Sequence, residues 1–199
     1  MIFATANKHK MREMRELLPS LDLQPLPRGV ELPPEHGESF AEIALQKARA
    51  AHAATGQAAI GDDSGIAAAG LGGRPGIHSA RYGGEAATDE ENLVKLLREV
   101  RAAGPDRRAS YHCALALVEV DGGERVFEAS WEGRLIEEPR GEGGFGYDPA
   151  FVPDDLLPGD TRTASELSQE EKNEISHRGR AARQLLEYLG AREAPSQAR

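Results

Sequence analysis

A chain of 199 residues, 39% hydrophobic and 29% charged, carries enough apolar side chain to bury a core as one large domain or two small lobes. Its formal net charge of −9, from 33 acidic and 24 basic residues, argues against gripping nucleic acid. It still allows a small polyanion where a few Lys and Arg converge or a metal cancels charge locally. The single cysteine, Cys113, excludes an intramolecular disulfide, and no run approaches a signal sequence or a membrane span, so no membrane partner and a cytoplasmic location are expected.

In chain order, Ile2 to Thr5 reads as a short buried strand and Ala6 to His9 as a turn. Lys10 to Leu18 then reads as a helix with Met11, Met14 and Leu18 on one face, ended by Pro19. This strand, loop and helix order is typical of α/β proteins. Residues 27–37 are rich in Pro and Gly and read as loop. Ser39 and Glu42 have capping-box spacing and open a helix to about Thr55, with Phe40, Ile43, Ala44, Ala48 and Ala51 on one stripe. Ala58 to Gly61 reads as a buried strand running into Asp62-Asp63-Ser64-Gly65, and residues 70–84 as a long loop. Thr88 and Glu91 open a helix faced by Leu93, Leu96, Leu97 and Val100. Ser110 to Val120 and Glu124 to Trp131 are strand-like around an Asp121-Gly122-Gly123 hairpin, with Cys113 reading as a small buried hydrophobe. Gly141 to Pro149 is a second Gly-rich loop. Ser168 and Glu171 form a third box, and the last helix, faced by Ala182, Leu185, Leu186 and Leu189, is expected to stop at Gly190 ahead of a polar tail over 191–199. The expected architecture is α/β, a mixed sheet with helices packed on it and one domain over residues 1–190.

Five constellations carry chemistry. Thr5-Ala6-Asn7-Lys8-His9-Lys10 lies where a strand gives way to a helix, a place that favours an anion. Alternatively Asn7 is only an N-cap and Lys10 is solvated. Asp62 and Asp63 follow a buried strand. As neighbours in extended chain they point opposite ways, so one can bind metal or activate water while the other supports it; an Asp-Gly turn is the alternative. Lys47 falls in the middle of the apolar stripe of its helix, where it either snorkels to water or meets an anion. Glu35, in the preceding loop, is a possible second carboxylate beside Asp63. Phe145, Gly146, Tyr147 and Asp148 sit in a glycine-flanked loop that offers an aromatic ring for stacking on a base, or a tight turn with one buried aromatic. Lys172, His177 and Arg178 concentrate cations in an acidic chain, with Ser176 placed to cap the last helix; they serve an anion or form a solvated cluster.

Several ordered motifs together resemble the inosine triphosphate pyrophosphatases, which remove inosine and xanthosine triphosphates from nucleotide pools. These are T-x-N-x-x-K at Thr5 to Lys10, the Lys47 helix, DDSG at 62–65, PGIHSARY at 75–82, GGFGYDP at 143–149 and EKNEISHRG at 171–179, so that the resemblance spans residues 2–189. It implies an elongated α/β fold with a long mixed sheet and two lobes around a cleft, usually a homodimer. It also implies Mg²⁺-dependent cleavage between the α and β phosphates of ITP, dITP or XTP. On this resemblance Asp63 is the general base close to the metal, Asp62 supports it, and Glu35 helps hold the metal. The Thr5–Lys10 segment, with Ala6, Lys8 and His9, grips the triphosphate together with Lys47, and Ser64 touches substrate. Phe145 to Asp148, Lys172, His177 and Arg178 form the base pocket.

Ala6 departs from the family, which often has Gly there; if the position needs positive φ, Ala costs about 1 kcal/mol or shifts the loop. Two other readings use the same residues: a nucleotide-binding sensor without catalysis, and a Maf-like pyrophosphatase for pyrimidine or modified nucleotides.

Overall fold

The computed structural model describes residues 1–193. One six-stranded mixed sheet organises them, with strands β1 (Ile2–Ala4), β2 (Gln24–Pro25), β3 (Ala59–Ala68), β4 (Arg108–Val118), β5 (Glu124–Leu135) and β6 (Phe151–Pro153) in the order β2-β1-β3-β4-β5-β6. β1 runs parallel to β2 and β3, and every later pairing is antiparallel. The helices are α1 (Lys8–Leu17), α2 (Phe40–Thr55), α3 (Asp89–Ala103), α4 (Gln169–Ile175) and α5 (His177–Glu193). None is long and apolar enough to cross a membrane.

Several boundaries differ from the sequence expectation. The Asp62-Asp63-Ser64-Gly65 segment is not a loop after a strand. It lies in the middle of β3, because β4 pairs with it without interruption from Ala59↔Val118 to Ala68↔Ala109. The long loop at 70–84 is partly ordered as a 3₁₀ turn over Gly76–Arg81. α5 continues through Gly190 to Glu193, since a glycine only weakens a helix that packing and flanking turns support; residues 194–199, most of the expected tail, lie outside the described residues. Thr88 and Ser168 form complete capping boxes. Ser39 caps Glu42 N, but the Glu42 carboxylate accepts from Glu38 N instead of closing the box.

The two-residue period of β3 decides what each face meets. Gly61, Asp63 and Gly65 face α2, where a Cβ on Gly61 would strike the backbone of Ala44 and Ala48, so helix and strand touch backbone to backbone. Ala44 and Ala48 pack there with Ala114, Ala116 and Val118 of β4. Ile60, Asp62, Ser64 and Ile66 face the other way. On that side Phe3, Met14, Leu18, Ile60, Leu115, Leu117 and Leu185 form the core beneath α1 and α5. A further core joins Ile66, Leu96, Tyr111, Trp131 and Phe151. Cys113 is buried as expected, its thiol 3.5 Å from Asp62 Oδ2, and burial pushes the thiol well above its usual range.

Candidate active site

A cleft of about 280 Å³ opens where β1, β3, the start of α1, the Phe145 loop and the start of α5 meet. Thr5, Ala6, Asn7, Lys10, Glu35, Lys47, Asp63, Ser64, Phe145, Gly146, Tyr147, Asp148, Lys172, His177 and Arg178 all line it. Three residues expected at the site stand elsewhere. Lys8 lines an adjoining open groove, Asp62 is buried beneath the cleft, and the His9 ring stacks on Phe145 with centroids 5.4 Å apart.

The phosphate-binding expectation for the start of α1 needs refinement. Asn7 is the N-cap, its side-chain oxygen accepting from His9 N at 2.8 Å and Lys10 N at 3.2 Å, which occupies two of the helix's first amides. The substitution at Ala6 carries no strain, because among the described residues no residue other than glycine adopts positive φ.

The two aspartates divide as their alternation requires. Asp62 points to the α1 and α5 side, where it pairs with Lys10 and accepts from Arg178 Nε at 3.2 Å. Burial alone would raise its pKa, yet the charges of Lys10 and Arg178 hold it below the usual carboxylate range. Asp63 points to the α2 side, where Lys47 Nζ lies 2.8 Å from its Oδ1 and 2.6 Å from Glu35 Oε1. Burial pushes Asp63 above the usual range; Lys47 and Lys10 pull against that and Asp62 adds to it. For Glu35 burial also raises, but the bonds from Lys47 and Arg81 prevail and keep it low. Lys47 itself is raised, its two carboxylates outweighing its burial. Lys47 therefore does not snorkel to water; it bridges two acids at the wall of the cleft.

The same pairing runs through the Phe145 end of the cleft. Lys172 lies 2.7 Å from Asp148 Oδ2 and 2.8 Å from Glu13 Oε1, while Arg178 reaches Glu13 Oε2 at 2.7 Å and the Ser64 hydroxyl at 2.7 Å. A continuous buried chain results, Asp148–Lys172–Glu13–Arg178–Asp62–Lys10, with alternating sign. Burial without partners would cost each ion several kcal/mol, and the alternation gives every one of these ions an opposite charge. The Phe145 ring lies 5.1 Å from Lys172 Nζ and 5.7 Å from Arg178 Cζ. Gly144 and Gly146 on either side of it have positive φ, which bends the loop so that Phe145 N reaches Asp148 Oδ2 at 2.9 Å. His177 stacks on Tyr111 at 4.7 Å, and its Nδ1 is buried without a hydrogen-bond partner among the described residues. Burial, with Arg178 and Lys172 close by, holds this imidazole well below its usual range, so it is neutral. Ser176 caps α5 as expected, accepting from Gly179 N.

Sequence reasoning missed Glu13 and Tyr111. Glu13 sits three residues after Lys10, one helical turn on and on the same face, which was the available signal. Tyr111 carries no such signal: its hydroxyl reaches Asp148 Oδ1 at 3.0 Å only because β4 passes beneath the Phe145 loop.

The residues present fit a hard divalent cation. Asp63 Oδ2 is buried with no hydrogen-bond partner among the described residues, and Glu35 Oε1 meets the Lys47 ammonium that Asp63 Oδ1 also binds. Among the described residues no group of three or more His, Cys, Asp or Glu assembles. A magnesium-like ion takes one or two carboxylates and completes its shell with water and phosphate oxygens, and Asp63 and Glu35 are the two that would hold it here.

Fold and site together define an α/β cleft with paired carboxylates and lysines at one end and an aromatic ring at the other. The chain belongs to the Ham1 family, whose profile matches residues 1–188. It is 45% identical over 194 residues to the dITP/XTP pyrophosphatase of Shigella flexneri, covering 94% of this chain and 96% of that one. It is 44% identical to the dITP/XTP pyrophosphatase of Coxiella burnetii, covering 94% and 95%. Among solved structures, the HAM1 protein of Coxiella burnetii superposes with a TM-score of 0.84 at 43% identity, covering 96% and 98% of the two chains. The Ham1 protein of Staphylococcus aureus does so with a TM-score of 0.83 at 34% identity and the same coverage.

Proposed function

We propose that this protein is a nucleoside triphosphate pyrophosphatase that hydrolyses ITP, dITP and XTP to the monophosphate and pyrophosphate with Mg²⁺ bound. The observation that carries the reading is Asp63: a carboxylate with a raised pKa and one unpartnered oxygen, facing a cleft lined by lysines on one side and a base-sized aromatic loop on the other. The names of the relatives support the substrate class.

Asp63 acts as general base, its raised pKa bringing it closer to the operating pH that general-base efficiency favours. Lys47 and Lys10 supply positive charge where the triphosphate lies, and phosphoryl transfer needs little beyond such positioning and neutralisation. Glu35 and Asp63 hold the cation, which supplies charge neutralisation at the phosphates. At the other end Phe145 stacks on the purine. A 6-oxo group is an acceptor and suits the N–H donors that Lys172 and Arg178 bring to the cleft wall. The 6-amino group of adenine is a donor and leaves a buried donor unpaired, at a cost of roughly 1–3 kcal/mol.

Product analysis on ITP, XTP, dITP, GTP, ATP and UTP, with Mg²⁺ and with chelator, tests the reading. Pyrophosphate and IMP from ITP, lost on chelation, is the expected outcome. Inorganic phosphate with a diphosphate would place the cut elsewhere, preference for UTP would favour a Maf-like enzyme, and binding without turnover would favour a sensor. Asp63→Asn is expected to bind ITP and not turn it over.

A further inference from the structure

Glu35 has the least local support of the groups at the hydrolytic end. It sits in residues 26–39, a stretch with neither helix nor strand, and its side chain is about a quarter exposed (28%). Both of its oxygens are nevertheless held. Lys47 takes Oε1 at 2.6 Å, and Arg81 Nη1 takes Oε2 at 2.7 Å.

Arg81 comes from a segment of opposite character. It ends the 3₁₀ turn Gly76–Arg81, which is tied down on three sides. The buried Ser79 hydroxyl accepts from Ile66 N of β3 at 2.9 Å and donates to Gly76 O at 2.6 Å. The Tyr147 hydroxyl donates to Ser79 O at 2.7 Å, joining the turn to the Phe145 loop. Asn92 of α3 donates to Ala80 O at 3.3 Å and accepts from Gly83 N at 2.6 Å. Gly65 opposite has no room for a side chain, since a Cβ there would meet Gly76 O and Ser79 Oγ. A rigid arm thus carries a guanidinium whose fixed planar donors set the direction of whatever carboxylate they bind. The competing acid, Glu85, stands 3.8 Å away and is 90% exposed.

We propose that Arg81 is a positioning residue for the cation site: by holding Glu35 Oε2 it turns Oε1 toward Asp63, so that two carboxylates carried by unrelated segments face one point. Lys47 Nζ lies within 2.8 Å of both, which shows that the two carboxylates converge, and Asp63 keeps Oδ2 without a hydrogen-bond partner among the described residues for a cation beside the ammonium. The inference rests on the reading of Glu35 as a cation ligand. Its logic is that of outer-shell partners generally, which fix the orientation of a ligand without touching the metal.

Mn²⁺ alone is the probe, its binding followed by the electron paramagnetic resonance signal of the free ion, on the full chain and on Arg81→Ala, Arg81→Lys and Glu35→Gln. Arg81→Ala is expected to weaken Mn²⁺ binding by about 10- to 100-fold. Arg81→Lys is expected to recover part of it, because an ammonium supplies the charge without the fork. Arg81→Gln, which keeps the stem, replaces the alanine variant if that one fails to fold. Parental affinity in Arg81→Ala, with Glu35→Gln weakened, overturns the inference and leaves the reading of Glu35 standing. Tighter binding in Arg81→Ala also overturns it, making Arg81 a competitor of the cation. Parental affinity in Glu35→Gln removes Glu35 as a ligand, and the inference falls with it.

Discussion

Gly61→Ala tests how closely the catalytic geometry depends on one backbone contact. A Cβ at Gly61 would overlap the carbonyl oxygen of Ala44 and lie 2.8 Å from the amide nitrogen of Ala48. Both are main-chain atoms inside the 16-residue helix α2, so no side chain can rotate aside and the helix must shift as a unit, by about 1 Å at the contact to restore ordinary packing. Overpacking of this kind costs about 1–3 kcal/mol. In a chain of this size each kcal/mol lowers the melting temperature by roughly 2–4 °C, so the variant is expected to melt about 2–12 °C below the parent. α2 also carries Lys47, whose ammonium lies 2.8 Å from Asp63 on the strand being pushed away, so the proposed site is displaced with it. A misplacement of about 1 Å costs on the order of 100-fold in rate, so turnover measured well below both melting temperatures falls far more than stability does. Gly190→Ala is the control: a Cβ there meets nothing within 4 Å among the described residues, and the change is expected to stabilise α5 by about 0.5 kcal/mol without touching activity. A Gly61→Ala protein that melts with the parent and turns over at the parental rate would refute the argument.

Two further predictions follow from the buried charges. Glu13→Gln removes the acid shared by Lys172 and Arg178, each of which keeps one other carboxylate; it is expected to lower stability by about 3 kcal/mol in urea unfolding and to raise KM for ITP, and an unchanged unfolding midpoint would show that the chain is not a stabilising unit. His177 stays neutral when folded, whereas the unfolded chain protonates it near pH 6.5, so stability falls as pH drops below about 6.5, by up to about 1.4 kcal/mol per pH unit. The loss between about pH 7.5 and pH 5.5 is expected to be smaller in His177→Gln than in the parent, and equal losses would show that the imidazole accepts a proton in the native state.

Much of the architecture was legible in the residues. The three helix starts announced by Ser39, Thr88 and Ser168 are all real, because a cap is a local interaction between residues three apart. The Asp121-Gly122-Gly123 hairpin and the apolar faces of α2, α3 and α5 were equally plain, since periodicity needs no partner to be seen. The opposed directions of Asp62 and Asp63 followed from the two-residue period of extended chain alone. Two short strands, β2 and β6, were not anticipated; at two and three residues they have no period of their own and exist only as pairings with β1 and β5.

What the sequence by itself marked is most of the cleft lining: local spacing and the family resemblance together picked out a strand-to-helix turn, a carboxylate pair, a glycine-flanked aromatic and a cationic helix start, while Lys8, His9 and Asp62 fall outside the cleft and Tyr111 was missed. What only the tertiary structure decided is what those residues are bonded to. Lys172 meets Glu13 across 159 positions, and Arg178 meets Asp62 across 116. Ion pairing depends on distance in space, and the fold sets that distance by laying α1, β3 and the start of α5 side by side. An expected row of free cations thereby becomes a neutral buried chain, and Glu35 becomes the acid that Lys47 and Arg81 hold in place.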